Sequence, residues 1–258
     1  MTALHALPSL ETQVSPAEWQ ARVDLAACYR LVALHGWDDL IFTHISAKIP
    51  ETDHFLINPY GLMFHEITAS SLVKVDLAGN KVTDSPYEIN PAGYTIHSAV
   101  HEVRHDVACV MHTHTAAGVA VSAQRQGVLP ISQQSLFVLA SLSTHGYEGV
   151  ALNHDEKARL QADLGETAFM LLHNHGLLTC GSSIADTFLM MFIFQRACEI
   201  QVMAQAGGSE LIAIPEQILA GAKAMAAGVT RTRSGMGGAL AWPALLRKLD
   251  AQSPGYAQ

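Results

Sequence analysis

The stretch Val107-Ala108-Cys109-Val110-Met111-His112-Thr113-His114 reads as a short apolar strand that turns polar in its last residues. In a strand, residues two apart point to one face, so His112 and His114 can grip a single ion. A second apolar run, Ala168-Phe169-Met170-Leu171-Leu172, leads into His173-Asn174-His175-Gly176. If that strand continues, His173 and His175 also share a face, and one of them completes a three-histidine set. Three nitrogen donors and an open position are the arrangement of a catalytic divalent metal rather than a structural one. The competing reading is satisfied, hydrogen-bonded histidines at strand ends beside a tight glycine turn.

Outward from these two strands, the punctuation is that of a mixed α/β chain. Ser15-Pro16-Ala17-Glu18 starts a helix, with Ser as N-cap, Pro in the first position and Glu three residues after the cap; Gly36 stops it after His35. Residues 40–49 and 54–57 predict a hairpin across Pro50–Asp53, and residues 72–76 and 81–83 another across Ala78-Gly79-Asn80. Helices are expected from Pro91 to about Glu102, Thr115 to Arg125, Asp155 to Leu164, Ser182 or Ser183 to Ala206, and from Pro215 onward. A last short helix, Pro243–Leu249, precedes a loose tail. Residues 128–152 give no clear periodicity. Hairpins favour a mixed sheet covered by helices over a doubly wound parallel one. The expected organisation is a loose leader over 1–14, one domain over 15–229, and a mobile loop, short helix and tail over 230–258.

Composition narrows the function classes. The 258 residues carry 23 acidic and 15 basic side chains, for a net charge of −8, and 49% are hydrophobic against 15% charged. Such a chain buries a sizeable core and is not disordered over most of its length. So little charge also suggests apolar surface hidden in an oligomer. Nucleic-acid binding needs a basic face and is not expected. The apolar run Phe188–Phe194 falls well short of the roughly 20 residues of a membrane span, and no secretory signal is visible between Met1 and Thr12. Cys28, Cys109 and Cys198 lie in apolar-periodic runs and none of the four cysteines forms a CxxC pair, which suits a reducing, cytoplasmic setting. Neither GxGxxG after a strand nor GxxxxGK[ST] is present, so a nucleotide lacks its phosphate cradle. Fourteen histidines against 15 Lys plus Arg are the remaining compositional signal.

Taken in order, Leu34-His35-Gly36-Trp37, His54-Phe55-Leu56-Ile57, Thr68–Lys74, Asn90-Pro91-Ala92-Gly93-Tyr94-Thr95-Ile96-His97, His112-Thr113-His114, Asn174-His175-Gly176 and Ala197–Val202 resemble the class II aldolases and the adducin head domain over about residues 16–208. The resemblance implies a three-layer α/β/α fold with a central mixed β-sheet and a homotetramer with sites between subunits. It implies a divalent metal, zinc with manganese as the other choice, held by His112, His114 and His175, and it leaves His173 as a neighbour. Sugar-phosphate aldolases of the family hold the substrate phosphate with a Gly-Asn pair that matches Thr43 and His44, and with a loop that here reads Asn58-Pro59-Tyr60-Gly61. Their catalytic Glu falls four residues before the helix histidine, at Gly93. A phosphorylated substrate is therefore not expected, and the acid/base group is unassigned. His44, Asn58 and Gln133 are candidate substrate contacts, with Gln134 beside the last, and Glu88 and His173 are candidate proton carriers. His145, Tyr147, Glu148, the tail Tyr256, and Arg231 with Arg233 on the Gly-rich loop are further polar candidates.

The expectation is a metal-dependent lyase that cleaves or decarboxylates a small hydroxy-carbonyl or hydroxy-acid substrate. The alternative is a non-enzymatic, adducin-like interaction domain of the actin-binding, cytoskeletal type. An epimerase or dehydratase is disfavoured, because Gln124–Leu142 holds no Asp or Glu.

Overall fold

The computed structural model describes residues 8–150, 155–222, 224–226 and 237–258. Seven strands form one sheet: β1 (His44–Lys48), β2 (Phe55–Ile57), β3 (Val73–Val75), β4 (Cys109–Thr113), β5 (Leu142–His145), β6 (Phe169–Leu172) and β7 (Gly176–Gly181). Their order is β3-β2-β1-β4-β7-β6-β5. Every neighbouring pair is antiparallel except β5 and β6, so the sheet is mixed.

The helices are α1 (Pro16–Leu34), α2 (Pro91–Val103), α3 (Ala116–Ser122), α4 (Gln133–Leu139), α5 (Glu156–Leu164), α6 (Ile184–Ala206), α7 (Glu216–Ala220) and α8 (Gly238–Gln252). Their starts follow the capping residues. Ser15 accepts from the Glu18 amide, Asn90 from Ala92, and Ser183 from Asp186, with Pro16 and Pro91 in the first turns.

Alternation along the central strands divides the core in two. Ile45, Cys109, Met111, Phe169 and Leu171 face one side, where α1 and α6 supply Leu25, Tyr29, Phe188 and Phe194. Val110, Met170, Leu172 and Leu178 face the other, under Ile96 and Val100 of α2 and Leu160 and Leu164 of α5. This is the three-layer α/β/α arrangement. The alternation also decides where the chemistry sits: His44, Ser46 and His112 all belong to the α2 side of the sheet, because Ile45, Ala47 and Met111 take the other.

Several elements differ from expectation. Strand β7 carries no clear outward signal, because glycines bound it at both ends. They are there for clearance: a Cβ on Gly176 would run into the Thr113 carbonyl, and one on Gly181 would meet the Thr187 hydroxyl at 2.5 Å. The second strand of the 72–83 hairpin shrinks to one bridge, Val75–Lys81, since the Asp76 carboxylate gathers the Ala78 and Asn80 amides into a tight turn. The unassigned stretch holds α4 and β5. Helix α8 begins five residues ahead of Pro243; the Gly238 amide donates to Asp186 and the Trp242 indole to Asp24, which anchors its first turns. The tail is not loose: the Ala69 and Ser70 amides donate to the carbonyls of Tyr256 and Gln258, and Arg30 reaches the Pro254 carbonyl. Residues 1–7 of the expected leader and most of the expected mobile loop, with Arg231 and Arg233, lie outside the described residues. No helix among the described residues is long and apolar enough to cross a membrane.

Candidate metal centre

Strands β4 and β7 pair antiparallel, with His112 opposite Leu178 and Thr113 opposite Leu177. The β6–β7 turn, residues 173–175, therefore lies at the end of β4 where His112 and His114 emerge. His112 Nε2 is 2.8 Å from His114 Nε2 and 3.3 Å from His175 Nε2. One donor atom from each residue falls within 4.8 Å of the other two. Four-coordinate zinc with bonds of about 2.0–2.1 Å holds its donors about 3.3 Å apart, so the set fits such an ion with little adjustment.

The far sides of two rings are already committed. His112 Nδ1–H donates to the Leu177 carbonyl at 2.9 Å, and His114 Nδ1–H to the Asp39 carboxylate at 3.1 Å. These bonds leave both Nε2 lone pairs turned inward, which is how a metal-binding imidazole is held. Burial, then the neighbouring imidazoles, push the His112 pKa well below its usual value. The same causes bring His175 down to about 4. Both are therefore neutral near pH 7 and available as cation ligands.

The trio opens on a cavity of about 450 Å³, lined by Asp39, Phe42, His44, Tyr60, Tyr147 and both outer histidines among others. On the cavity wall His44 is 3% exposed, and its ring lies 5.1 Å from that of His112. Its place exists because Gly93 has no side chain: a Cβ there would stand 2.5 Å from His44 Cδ2. Behind His44, its Nδ1 is 2.8 Å from His97 Nε2; His97 Nδ1 is 2.5 Å from Ser46 Oγ; and Ser46 Oγ is 2.7 Å from His101 Nε2.

Other sequence candidates fall elsewhere. The strand expected to carry both His173 and His175 ends at Leu172. Asn174 takes a left-handed φ of 55°, which turns the two rings apart. His173 Nδ1–H donates to the Ser122 carbonyl at 3.1 Å, and its ring stands outside the group formed by His112, His114 and His175. Glu88 is solvent-exposed and pairs with Lys81 at 2.7 Å, away from the cavity. Asn58 is sealed in the core, where its Oδ1 accepts from the Tyr29 hydroxyl at 2.9 Å, so it does not meet a substrate. Gln133 opens α4 on the exposed surface and does not line the cavity. His145 is held by Asp163 at 2.7 Å and Glu148 by Arg159, while the Tyr256 hydroxyl donates to Asp250. Tyr147 does line the cavity.

Asp39, Tyr60 and the pair His97/His101 escaped the sequence reading. Only the last carried a signal: two histidines four apart on a helix lie on one face, and Ser46 follows His44 by two in a strand.

The family profile described as class II aldolase and adducin N-terminal domain matches residues 23–202. A Pseudomonas aeruginosa protein, provisionally named an aldolase class 2 protein, is 79% identical over 100% of both chains. Mouse alpha-adducin is 41% identical across 89% of this chain, which spans only 33% of the adducin. A crystal structure described as an aldolase II superfamily protein from Pseudomonas syringae superimposes with a TM-score of 0.91 at 48% identity, covering 97% of this chain and 100% of that one.

Proposed function

The chain belongs to the class II aldolase and adducin N-terminal domain family, and from that premise we propose that it is a metal-dependent lyase. Its substrate in this reading is a small hydroxy-carbonyl compound or hydroxy acid without a phosphate. The observation that carries the reading is the convergence of the His112, His114 and His175 Nε2 atoms at the wall of an open cavity.

A divalent ion held by these residues, zinc or manganese, supplies Lewis acidity that stabilises negative charge on adjacent substrate oxygens. The chain's own groups do the rest. The Leu177 carbonyl and the Asp39 carboxylate hold two of the rings in their binding tautomer. Phe42, Tyr60 and Tyr147 wall the cavity and displace water from a bound substrate. His44 is a polar group on the cavity wall, placed to meet substrate oxygen beside the ligands. Gly93 offers no carboxyl group, so removal of a hydroxyl proton has no base at that point of α2. Decarboxylation needs no such base, and it is the favoured reaction on that ground, with retro-aldol cleavage second. Thr43 is fully buried, which removes one of the positions from which a phosphate would be held.

Phe42, Tyr147 and Val150 are exposed around the cavity mouth, and a second copy of the chain in a homo-oligomer is proposed to cover them. Four free, buried cysteines favour a cytoplasmic setting.

The test is turnover. Zinc-loaded protein is offered non-phosphorylated hydroxy acids, keto acids and aldols, with aldehyde and carbon dioxide release measured. Release that is abolished by chelation and by His175→Ala supports the lyase. Absence of turnover across the panel, with metal bound, favours the adducin-type interaction domain, the reading for which the lost carboxylate at Gly93 and the similarity to alpha-adducin speak.

A further inference from the structure

The cavity's inner wall is backed by a chain of hydrogen bonds with two distinguishable ends. At the inner end His101 is 1% exposed, its ring packs on Phe55 at 4.9 Å, and its Nδ1 is buried without a partner. At the outer end His44 has spent Nδ1 on His97 and lines the cavity. Between them stand His97, fully buried, and the Ser46 hydroxyl.

A neutral imidazole has one N–H and one lone pair, and a hydroxyl has one hydrogen to give. Three proton arrangements satisfy all three links at once. One of them, with Ser46 Oγ accepting from both imidazoles, leaves the buried Ser46 O–H without an acceptor and is set aside; two keep that hydrogen in the chain. In the first, His44 Nδ1–H donates inward, each group passes the polarity on, and His101 is left with a buried Nδ1–H that meets nothing. In the second, His101 Nε2–H donates to Ser46 Oγ, the Ser46 hydroxyl donates to His97 Nδ1, and His97 Nε2–H donates to His44 Nδ1. The unpartnered atom at the dead end is then a lone pair. A buried N–H without an acceptor is the costlier and rarer defect, so the second arrangement wins. Burial keeps the two inner rings neutral, with His97 well below its usual pKa and His101 at about 3.

We infer that His101, Ser46, His97 and His44 form a one-way relay that fixes His44 with its Nε2–H turned into the cavity, as a donor for an anionic oxygen of the substrate such as a carboxylate. This rests on the reading of the cavity as the substrate site. His101, Ser46 and His97 are positioning residues; His44 is the contact. Gly93 belongs to the device, since any side chain there would displace the His44 ring. The site thereby exchanges a carboxylate on α2 for an N–H donor on β1, which repels no anion and selects for one.

Tautomers are read directly by long-range proton–nitrogen correlation NMR on histidine-labelled protein near neutral pH, without and with zinc. The expected result is His44, His97 and His101 all as the Nε2–H form. The Nδ1–H form in these three residues overturns the proposal, as does rapid exchange between forms. Ser46→Ala should leave zinc stoichiometry unchanged, release His44 and His97 into a tautomer mixture, and weaken oxalate binding to the zinc-loaded protein by about tenfold, the worth of one hydrogen bond. Unchanged oxalate affinity with a released His44 overturns the donor role. The two readings fail separately. Zinc binding with Nδ1–H tautomers removes the relay and leaves the metal site standing. Nε2–H tautomers in a protein that binds no zinc remove the lyase and leave the relay.

Discussion

Replacing Gly93 by alanine tests the volume relation on which the His44 side of the site depends. Gly93 is the third residue of α2, and helix propensity alone predicts that Ala at this position stabilises by up to about 1 kcal/mol. The structure predicts the opposite sign. The new Cβ would stand 2.5 Å from His44 Cδ2, 2.8 Å from Cγ and 3.0 Å from Nε2. His44 is buried between α2 and His112, so the ring must shift and give up its bond to His97. Overpacking of this kind costs about 1–3 kcal/mol, and the lost hydrogen bond about 1 kcal/mol more. Against the propensity gain, the net is a loss of about 2 kcal/mol, which in a chain of this size lowers Tm by roughly 4–8 °C. In a His44→Ala background the obstacle is gone, and Gly93→Ala should become neutral or stabilising, a coupling of about 2–3 kcal/mol between the two positions. The assay is thermal and urea unfolding of the four proteins of the cycle without metal. A Gly93→Ala protein more stable than the parent, or a cycle without coupling, refutes the packing argument.

Three further outcomes follow from the same geometry. Asp39→Asn weakens the carboxylate hold on His114 Nδ1–H and should lower zinc affinity by about 10–100-fold in a chelator competition, with little change in Tm of the metal-free protein. Metal-free protein should lose stability on acidification. His97 and His101 resist protonation when folded, whereas the unfolded chain takes up protons near pH 6.5; the unfolded state thus binds more protons below that value, and each imidazole removes up to about 1.4 kcal/mol per pH unit as pH falls toward 3. Urea midpoints that hold level from neutrality to well below pH 6 would contradict this. Glu18→Ala leaves the buried Arg22 guanidinium without its 2.9 Å carboxylate partner and also removes the 2.8 Å partner of Lys74, at a cost of about 3–5 kcal/mol in urea unfolding; a change under 1 kcal/mol would show that water reaches Arg22.

The fold was legible where local chemistry and tertiary need agree. Ser15-Pro16 and Pro91 announce the starts of two helices that are buried deep in the fold, and the apolar run into His112 announces a strand buried on both sides. Strand β7 was illegible because Gly176 and Gly181 answer to close neighbours in space, the Thr113 carbonyl of β4 and the Thr187 hydroxyl of the following helix, rather than to strand propensity. The histidine trio came from spacing and resemblance together. Spacing alone left His173 and His175 equivalent; a single left-handed residue, Asn174, separates them. Asp39 gave no signal, being one carboxylate in a loop whose meaning depends on where β4 ends. Asn58 was misplaced for the converse reason: it reads as a loop amide, yet its partner Tyr29 on α1 draws it into the core. The four-member chain that ends at His44 is distributed over β1 and α2 and becomes visible only when the two elements are packed.

The central claim, a three-histidine metal centre, is tested most directly by elemental mass spectrometry of protein purified without a histidine tag, beside the His112→Ala/His114→Ala variant. The account predicts about one zinc or manganese ion per chain in the parent and none in the variant. A parent that holds no ion, even after incubation with zinc and removal of the excess, would contradict it and leave a satisfied histidine cluster on an interaction domain.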